Sequence, residues 1–244
     1  MTFGPDDHRH VIAIDGPAAA GKSTVARLVA ARLGALLFDT GSLYRALTLA
    51  ARRGGVSPDD GPSLAGLANE TEIEVRPGLR ADGRLYSVFL NDEDVTWELR
   101  SPPVEQWVSR VAAHPQVRKA LLPHQRRVAA SGPVVMVGRD IGTVVVPDAG
   151  LKVFLVASEQ ERARRRHDEH LARGGRMTFD EVLADLRRRD AIDETRAIAP
   201  LRPADDALMV DTDDLGIEQV VAEIMRQARL ANIGRQQVAP PTPG

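Results

Sequence analysis

The chain has 244 residues, of which 43% are hydrophobic, so it can bury a sizeable core in one domain with an insertion or in one domain and a small second one. With a formal net charge of −2, the chain lacks the excess of basic residues that is typical of a nucleic-acid-binding protein. Because it has no cysteine, it cannot contain disulfides, zinc thiolates or a thiol nucleophile. No apolar run approaches the roughly 20 residues that span a membrane. We therefore expect a cytoplasmic protein with neither nucleic acid nor membrane as a partner.

The first predicted elements are a strand, a glycine-rich loop and a helix. The apolar run at 11–15 is followed at once by Gly16-Pro17-Ala18-Ala19-Ala20-Gly21-Lys22-Ser23, which has the pattern G-x-x-x-x-G-K-[ST]. Apolar residues spaced by three and four then predict a helix over Lys22–Leu33. Backbone N–H groups of such a loop, together with the positive end of the helix dipole, bind the phosphates of a nucleoside triphosphate.

Two side chains of this loop carry specific roles. Lys22 is predicted to reach the β- and γ-phosphates, and the Ser23 hydroxyl is predicted to ligate Mg²⁺. The predicted ATP-binding residues are Gly16, Pro17, Ala18, Ala19, Ala20, Gly21, Lys22, Ser23 and Thr24.

The remaining strands predict an α/β fold. Further apolar, β-rich runs alternate with helical patterns, which indicates a five-stranded parallel sheet flanked by helices; these runs lie at 35–38, 134–138, 151–156 and 207–211. Between about 70 and 96 the residues instead alternate polar and apolar in short segments, which predicts a small inserted antiparallel sheet. Helical patterns follow at 104–113 and 116–130, and we expect disordered tails at 1–10 and 232–244.

Three polar clusters lie near predicted strand or helix ends. In Asp39-Thr40-Gly41-Ser42-Leu43-Tyr44-Arg45, Thr40 is a candidate helix cap and Arg45 is a candidate ligand of a second phosphate, or else a solvated helix residue. In Gly138-Arg139-Asp140, the Arg and Asp follow a strand and are expected to point into the ligand crevice, or else to pair with each other in a turn.

The third cluster is rich in arginine. Arg189, Asp193 and Arg196 are spaced i, i+4 and i+7, which places them on one helical face that suits a polyanion, although an ion-paired solvated surface gives the same pattern. Arg162, Arg164, Arg165 and Arg166 precede a Gly174-Gly175 break. Two arginine-rich helices joined at glycines predict a mobile lid at about 160–200.

Four ordered motifs together resemble the bacterial cytidylate kinases, a family of nucleoside-monophosphate kinases. The resemblance covers about residues 10–230 and rests on Ile14-Asp15-Gly16-Pro17 with its loop, Asp39 to Arg45, Gly138-Arg139-Asp140-Ile141-Gly142-Thr143, and Arg189-Asp190 continuing to Arg196-Ala197-Ile198-Ala199-Pro200-Leu201. It implies a P-loop kinase fold over 11–231, with a monophosphate-side insert at about 64–132. It also implies a Mg²⁺-dependent transfer from ATP to CMP or dCMP, and we expect a monomer.

The resemblance also implies roles for individual residues. It places Arg45, Arg139, Arg189 and Arg196 around the acceptor phosphate and the transferring group, with Lys22, Arg139, Arg189 and Arg196 as the catalytic set. It places Ser109, Arg118 and Asp140 at the cytosine, Asp193 at the sugar hydroxyls, and Thr40 and Tyr44 in the same CMP site. Many relatives have an acidic residue where this chain has Val137, so Asp15 or Asp39 is expected to orient the waters of the metal instead.

Two other functions are compatible with a phosphate-binding loop. A different small-molecule kinase, acting for example on shikimate or gluconate, shares the loop and the arginine lid but lacks a base-reading pair and the inserted sheet. A non-enzymatic nucleotide-binding switch normally has an Asn-Lys-x-Asp motif, which the sequence does not contain.

Overall fold

The structure is a computed structural model and describes residues 8–77, 82, 84, 86–172 and 174–233. Short turns of 3-10 helix and π-helix lie at Glu98–Arg100 and Ile141–Val145. The elements in chain order are β1 (Val11–Asp15), α1 (Lys22–Leu33), β2 (Leu36–Asp39), α2 (Gly41–Arg53), α3 (Gly61–Glu70), β3 (Ile73–Pro77), β4 (Tyr86–Leu90), β5 (Glu93–Asp94), α4 (Pro102–Ala113), α5 (Pro115–Ala129), β6 (Val134–Val137), β7 (Leu151–Val156), α6 (Glu159–Ala172), α7 (Phe179–Thr195), β8 (Leu208–Asp211) and α8 (Ile217–Leu230).

Within the described chain, five parallel strands form the central sheet in the order β2-β6-β1-β7-β8. Successive residues of a strand point to opposite faces, so the apolar run of β1 supplies two cores. Val11 and Ala13 pack under α2, α3, α4 and α5, whereas Ile12 and Ile14 pack under α1 and α8. The predicted α/β class with a parallel sheet covered by helices is confirmed.

The inserted antiparallel sheet is also confirmed. Strands β3, β4 and β5 pair in that order, with Ile73 opposite Leu90. The sheet shares a separate apolar cluster with one face of α2, through Leu49 and Val88. Leu85, which belonged to the apolar run of the predicted second strand, lies outside the described residues.

Part of the segment 64–132 belongs to the main core rather than to a separate unit. Leu64 of α3 and Val117 and Leu121 of α5 are buried in the same cluster as Val11 of β1. The small sheet, by contrast, has its own cluster. Helix α2 therefore links the two sheets, because Leu43 and Leu47 lie in the main core and Leu49 lies in the cluster of the inserted sheet.

The described ends of the predicted tails differ from the prediction of disorder. His8 is buried and its Nδ1 lies 2.9 Å from Oδ1 of Asp148, while Nε2 of buried His10 donates to the Ala129 carbonyl at 2.8 Å. At the other end Ile233 is 6% exposed, and its N–H donates to the Ala228 carbonyl at 2.8 Å. The prediction of disorder is therefore wrong for His8, His10 and Ile233, because these three residues are buried. Residues 1–7 and 234–244 lie outside the described part.

No helix among the described residues combines the length and the apolar character needed to cross a bilayer.

Ile233→Ala should destabilise the protein by roughly 2–5 kcal/mol, because it removes buried methyl groups from the core beneath α8. The matched control is Leu230→Ala, three residues earlier, where the side chain is 67% exposed and the expected change is within about 0.5 kcal/mol. Thermal or urea unfolding of both variants measures the difference. Equal stability of the two variants would contradict the packing of Ile233.

Candidate active site

The phosphate-binding loop lies between β1 and α1, where the sequence predicts it. Gly16 and Gly21 have φ of 145° and 87°, values that L side chains rarely adopt. A Cβ at Gly16 would also collide with the Leu155 carbonyl oxygen of β7. The loop therefore needs glycine at position 16 for two independent reasons.

Lys22 is a buried cation at the start of α1. Its Nζ donates to the Pro17 carbonyl within the loop at 2.6 Å. Burial, followed by the charge of Arg139, lowers the pKa of Lys22 well below its ordinary value. An anion bound in the loop would raise the pKa of Lys22 again. The site therefore favours a bound anion such as phosphate.

The two acidic candidates near the metal position have different partners. Asp15 accepts hydrogen bonds from the N–H groups of Ile141 and Gly142 at 2.9 and 2.8 Å, and burial raises its pKa to about 6. Both its oxygens are thus used to hold the π-helical turn after β6. One Asp39 oxygen accepts from the Gly41 N–H at 3.0 Å, and the other lies 3.4 Å from the Ser23 hydroxyl. Asp39 is therefore the better candidate for orienting the metal's waters.

Thr40 does not cap α2, and that expectation is wrong. The Thr40 hydroxyl donates to the Val137 carbonyl of β6 at 2.9 Å, and the Asp39 carboxylate accepts the Gly41 N–H in its place. Val137 itself is buried in the core on the α1 side of the sheet. Thr40 thus ties the end of β2 to the strand that carries the Gly-Arg-Asp motif.

A buried polar pocket lies beyond β6. The Arg118 guanidinium from α5 pairs with the Asp140 carboxylate and lies 5.4 Å from the centre of the Tyr44 ring. The Tyr44 hydroxyl accepts from the Gln125 side chain at 3.3 Å, and Nη2 of Arg196 lies 3.7 Å from Asp140. The structure therefore brings together four of the residues predicted to bind CMP, three of which carry a charge.

Asp193 links Arg196 of this cluster to Arg139 and acts electrostatically on Lys22 of the phosphate loop. It accepts from Nε of Arg139 at 2.8 Å and lies 3.4 Å from Nη1 of Arg196.

The predicted face of Arg189, Asp193 and Arg196 is corrected in two respects. Helix α7 ends at Thr195, so Arg196 has an extended backbone, and the cations beside Asp193 are Arg139 and Arg196 instead of Arg189.

Arg189 turns toward a carboxylate that the sequence analysis missed. Its Nη1 lies 3.1 Å from Oε2 of Glu105 on α4, and Nη2 of Arg45 lies 3.2 Å from Oε1 of the same residue. Arg166 of α6 approaches Glu105 at 3.5 Å. Glu105 belongs to an amphipathic helical pattern, and no sequence signal distinguishes it from a solvated surface residue.

The lid helices α6 and α7 pack on the phosphate loop. Arg162 donates to the Ala18 carbonyl at 3.2 Å and pairs with Asp190 of α7, and all three residues are buried. Ala18 also packs with Val182 and Leu186. The lid therefore contacts the loop through apolar packing and one hydrogen bond, and the buried ion pair joins α6 to α7.

Two further predicted site residues, Ser109 and Thr24, lie on helices α4 and α1. Ser109 is half-buried on α4, and Thr24 is exposed on the first turn of α1. The predicted contacts of Ser109 with cytosine and of Thr24 with ATP stay predictions.

Comparisons with known proteins agree with one another. The family model described as cytidylate kinase matches residues 12–230. The chain is similar to the cytidylate kinase of Roseiflexus castenholzii, with 51% identity over 91% of this chain and 94% of that protein. It is also similar to the cytidylate kinase of Carboxydothermus hydrogenoformans, with 48% identity over 88% of this chain and 95% of that protein.

Gly16→Ala should destabilise the protein and weaken ATP binding, because the new methyl group meets both a disfavoured φ and the Leu155 carbonyl. Gly34→Ala is the matched control: its φ of 62° is also left-handed, but no atom lies within 4 Å of the new Cβ, so only about 1–2 kcal/mol is expected. Thermal melts and ATP titration calorimetry compare the two. Similar melting temperatures would rule out the close approach to β7.

Proposed function

Because this chain belongs to the cytidylate kinase family, we propose that it transfers the γ-phosphoryl group of ATP, with Mg²⁺, to CMP or dCMP and so forms CDP or dCDP. The observation that carries the proposal is the buried Arg118–Asp140 pair beside the phosphate loop. A kinase for an acceptor without a base has no need of such a pair. Tyr44, whose ring faces Arg118, completes one wall of the proposed base site.

The chemistry of the pair suits cytosine. Cytosine presents an amino donor at N4 and acceptors at N3 and O2, whereas uracil presents an acceptor at O4 and a donor at N3. In the proposed pose the Asp140 carboxylate accepts from N4, and the Arg118 guanidinium donates to N3 and O2. Uracil would face a carboxylate with an acceptor and a guanidinium with a donor, each mismatch costing about 1–3 kcal/mol.

The proposed phosphate sites lie on the two sides of Asp193. On the donor side, the loop N–H groups and Lys22 hold the β- and γ-phosphates. On the acceptor side, Arg45, Arg139, Arg189 and Arg196 bind the CMP phosphate and neutralise charge that develops during transfer. The acceptor oxygen is already anionic near pH 7, so positioning suffices and no general base is required.

The donor set fits Mg²⁺, which prefers oxygen ligands. The Ser23 hydroxyl would hold the metal, and the Asp39 carboxylate, 3.4 Å from that hydroxyl, would hold its waters. When bound, the metal supplies charge neutralisation on the phosphate oxygens. The lid contributes separately, since closure of α6 and α7 over the loop excludes water from the transferring group.

An acceptor screen at fixed ATP and Mg²⁺ tests the proposed function. Coupled assays with CMP, dCMP, UMP, AMP, shikimate and gluconate should give turnover with CMP and dCMP. The expected preference for CMP over UMP in kcat/KM is about 10²-fold, from the two mismatches. Turnover of shikimate or gluconate without turnover of CMP would refute the proposal.

Arg118→Met should reduce the preference for CMP over UMP, mostly through loss of CMP turnover, because it removes the donors proposed to face N3 and O2. The variant also leaves Asp140 without its closest cation and should lower stability. The ratio of the two kcat/KM values, measured below the melting temperature, separates recognition from folding. An unchanged ratio would mean that Arg118 packs without reading the base.

Lys22→Met should lower kcat by about 10²-fold or more, equivalent to about 3 kcal/mol of transition-state stabilisation. The change removes the cation proposed at the β/γ bridge while keeping an unbranched helix former at the start of α1. Steady-state kinetics with saturating CMP measure the effect. Retention of more than about a tenth of the turnover would contradict the assigned role.

A further inference from the structure

Glu105 lies among four guanidinium groups from four different elements. Its carboxylate oxygens lie 3.2 Å from Arg45 of α2, 3.1 Å from Arg189 of α7 and 3.5 Å from Arg166 of α6. Arg100, in the 3-10 turn before α4, also acts electrostatically on Glu105. The Glu105 side chain is 17% exposed, so these charges are only partly screened by water.

Two of these arginines are the ones assigned to the acceptor phosphate. We propose that Glu105 is an internal competitor of the acceptor: before CMP binds, its carboxylate occupies Arg45 and Arg189, and the phosphate of CMP must displace it. The inference rests on the proposed function, because that function is what brings a phosphate to these two side chains.

The exchange can take place because carboxylate and phosphate accept from the same guanidinium donors. Burial would raise the pKa of Glu105, but Arg45, Arg189 and Arg166 outweigh burial and lower it. Glu105 is therefore a full anion at neutral pH. A phosphate monoester carries about −1.5 to −2 at pH 7, so the substrate has the larger charge and can win the exchange.

The displaced carboxylate keeps cationic neighbours. Arg166 and Arg100 are not among the residues assigned to CMP, so Glu105 can keep its ion pair with Arg166 and the electrostatic attraction of Arg100 while Arg45 and Arg189 turn to the phosphate. Glu105 then competes with CMP only during binding, and it no longer occupies Arg45 and Arg189 during the chemical step. Its effect should fall on KM and leave kcat nearly unchanged.

Glu105→Gln tests this competition, because it removes the charge and keeps the shape. The matched control is Glu159→Gln, which removes one carboxylate from an exposed lid ion pair with Arg187. For Glu105→Gln we expect the KM and calorimetric Kd for CMP to fall about tenfold with kcat within about twofold. We expect a lower melting temperature without ligand, since the arginines then repel one another, and no kinetic change in the control.

A second probe isolates the phosphate. Inorganic phosphate should inhibit Glu105→Gln more strongly than wild type in competition with CMP, by a factor similar to the change in KM. Stronger binding together with lower stability is the signature of competition, because a purely structural role would weaken both. An unchanged or raised KM, or an equal change in Glu159→Gln, would overturn the proposal.

Glu105→Ala also removes the charge and should shift KM in the same direction. If neither variant folds at 25 °C, Glu105 is a structural requirement and the competitor role is rejected. The proposed function fails by a different result, namely the absence of CMP phosphorylation by the wild-type enzyme.

Discussion

Mutual repulsion of buried guanidinium groups is the constraint on which the site depends. Phosphate binding requires several arginines close together, and carboxylates of the protein itself must limit their repulsion. Arg118 pairs with Asp140, Arg139 with Asp193, and Arg162 with Asp190. In all three pairs the partners come from different elements, so neutralising the charge also fixes the elements to one another. These ion pairs hold the two lid helices, the Gly-Arg-Asp motif after β6 and helix α5 in one arrangement.

Asp15 plays a comparable part with backbone groups. It is the last residue of β1 and directly precedes the phosphate loop, and its carboxylate holds the N–H groups of Ile141 and Gly142 in the turn after β6. The end of β1, directly before the phosphate-binding loop, and the turn that follows the Gly-Arg-Asp motif are thus joined through one side chain. Burial of that side chain raises its pKa to about 6, so the carboxylate is charged at neutral pH at some cost in stability, and this cost diminishes as the pH falls below about 6 and the group protonates.

The sequence predicts those parts of the molecule that depend on short-range patterns. Apolar runs locate all five strands of the central sheet to within a residue, because strands buried on both faces are continuously apolar. The sequence predicts the phosphate-binding loop equally well, since the positive φ angles at positions 16 and 21 require glycine. The family resemblance adds Arg118, which spacing alone would have left as a helix residue, whereas its position after a strand already made Asp140 a candidate.

What the sequence leaves open depends on contacts between distant elements. Glu105 has the same local pattern as any exposed residue of an amphipathic helix, and only the packing of α4 against α7 brings it to Arg189. The helical spacing of Arg189 and Arg196 fails because α7 ends one residue too early, at Thr195. Thr40 looks like a helix cap, but the Val137 carbonyl of the neighbouring strand takes its hydroxyl hydrogen bond. In each case a tertiary partner overrides the local preference.

The same tertiary partners also determine the charge of the region around Glu105. Around Glu105 three arginines face two carboxylates, because Glu169 also pairs with Arg166 at 2.9 Å, so this region carries a residual positive charge. That excess attracts a dianionic phosphate, while the carboxylates keep the arginines oriented and limit their repulsion. Full neutralisation would hold the arginines more firmly and bind substrate less well, whereas no neutralisation would leave the lid unstable against α4. Two carboxylates among several guanidinium groups are a compromise between these two requirements.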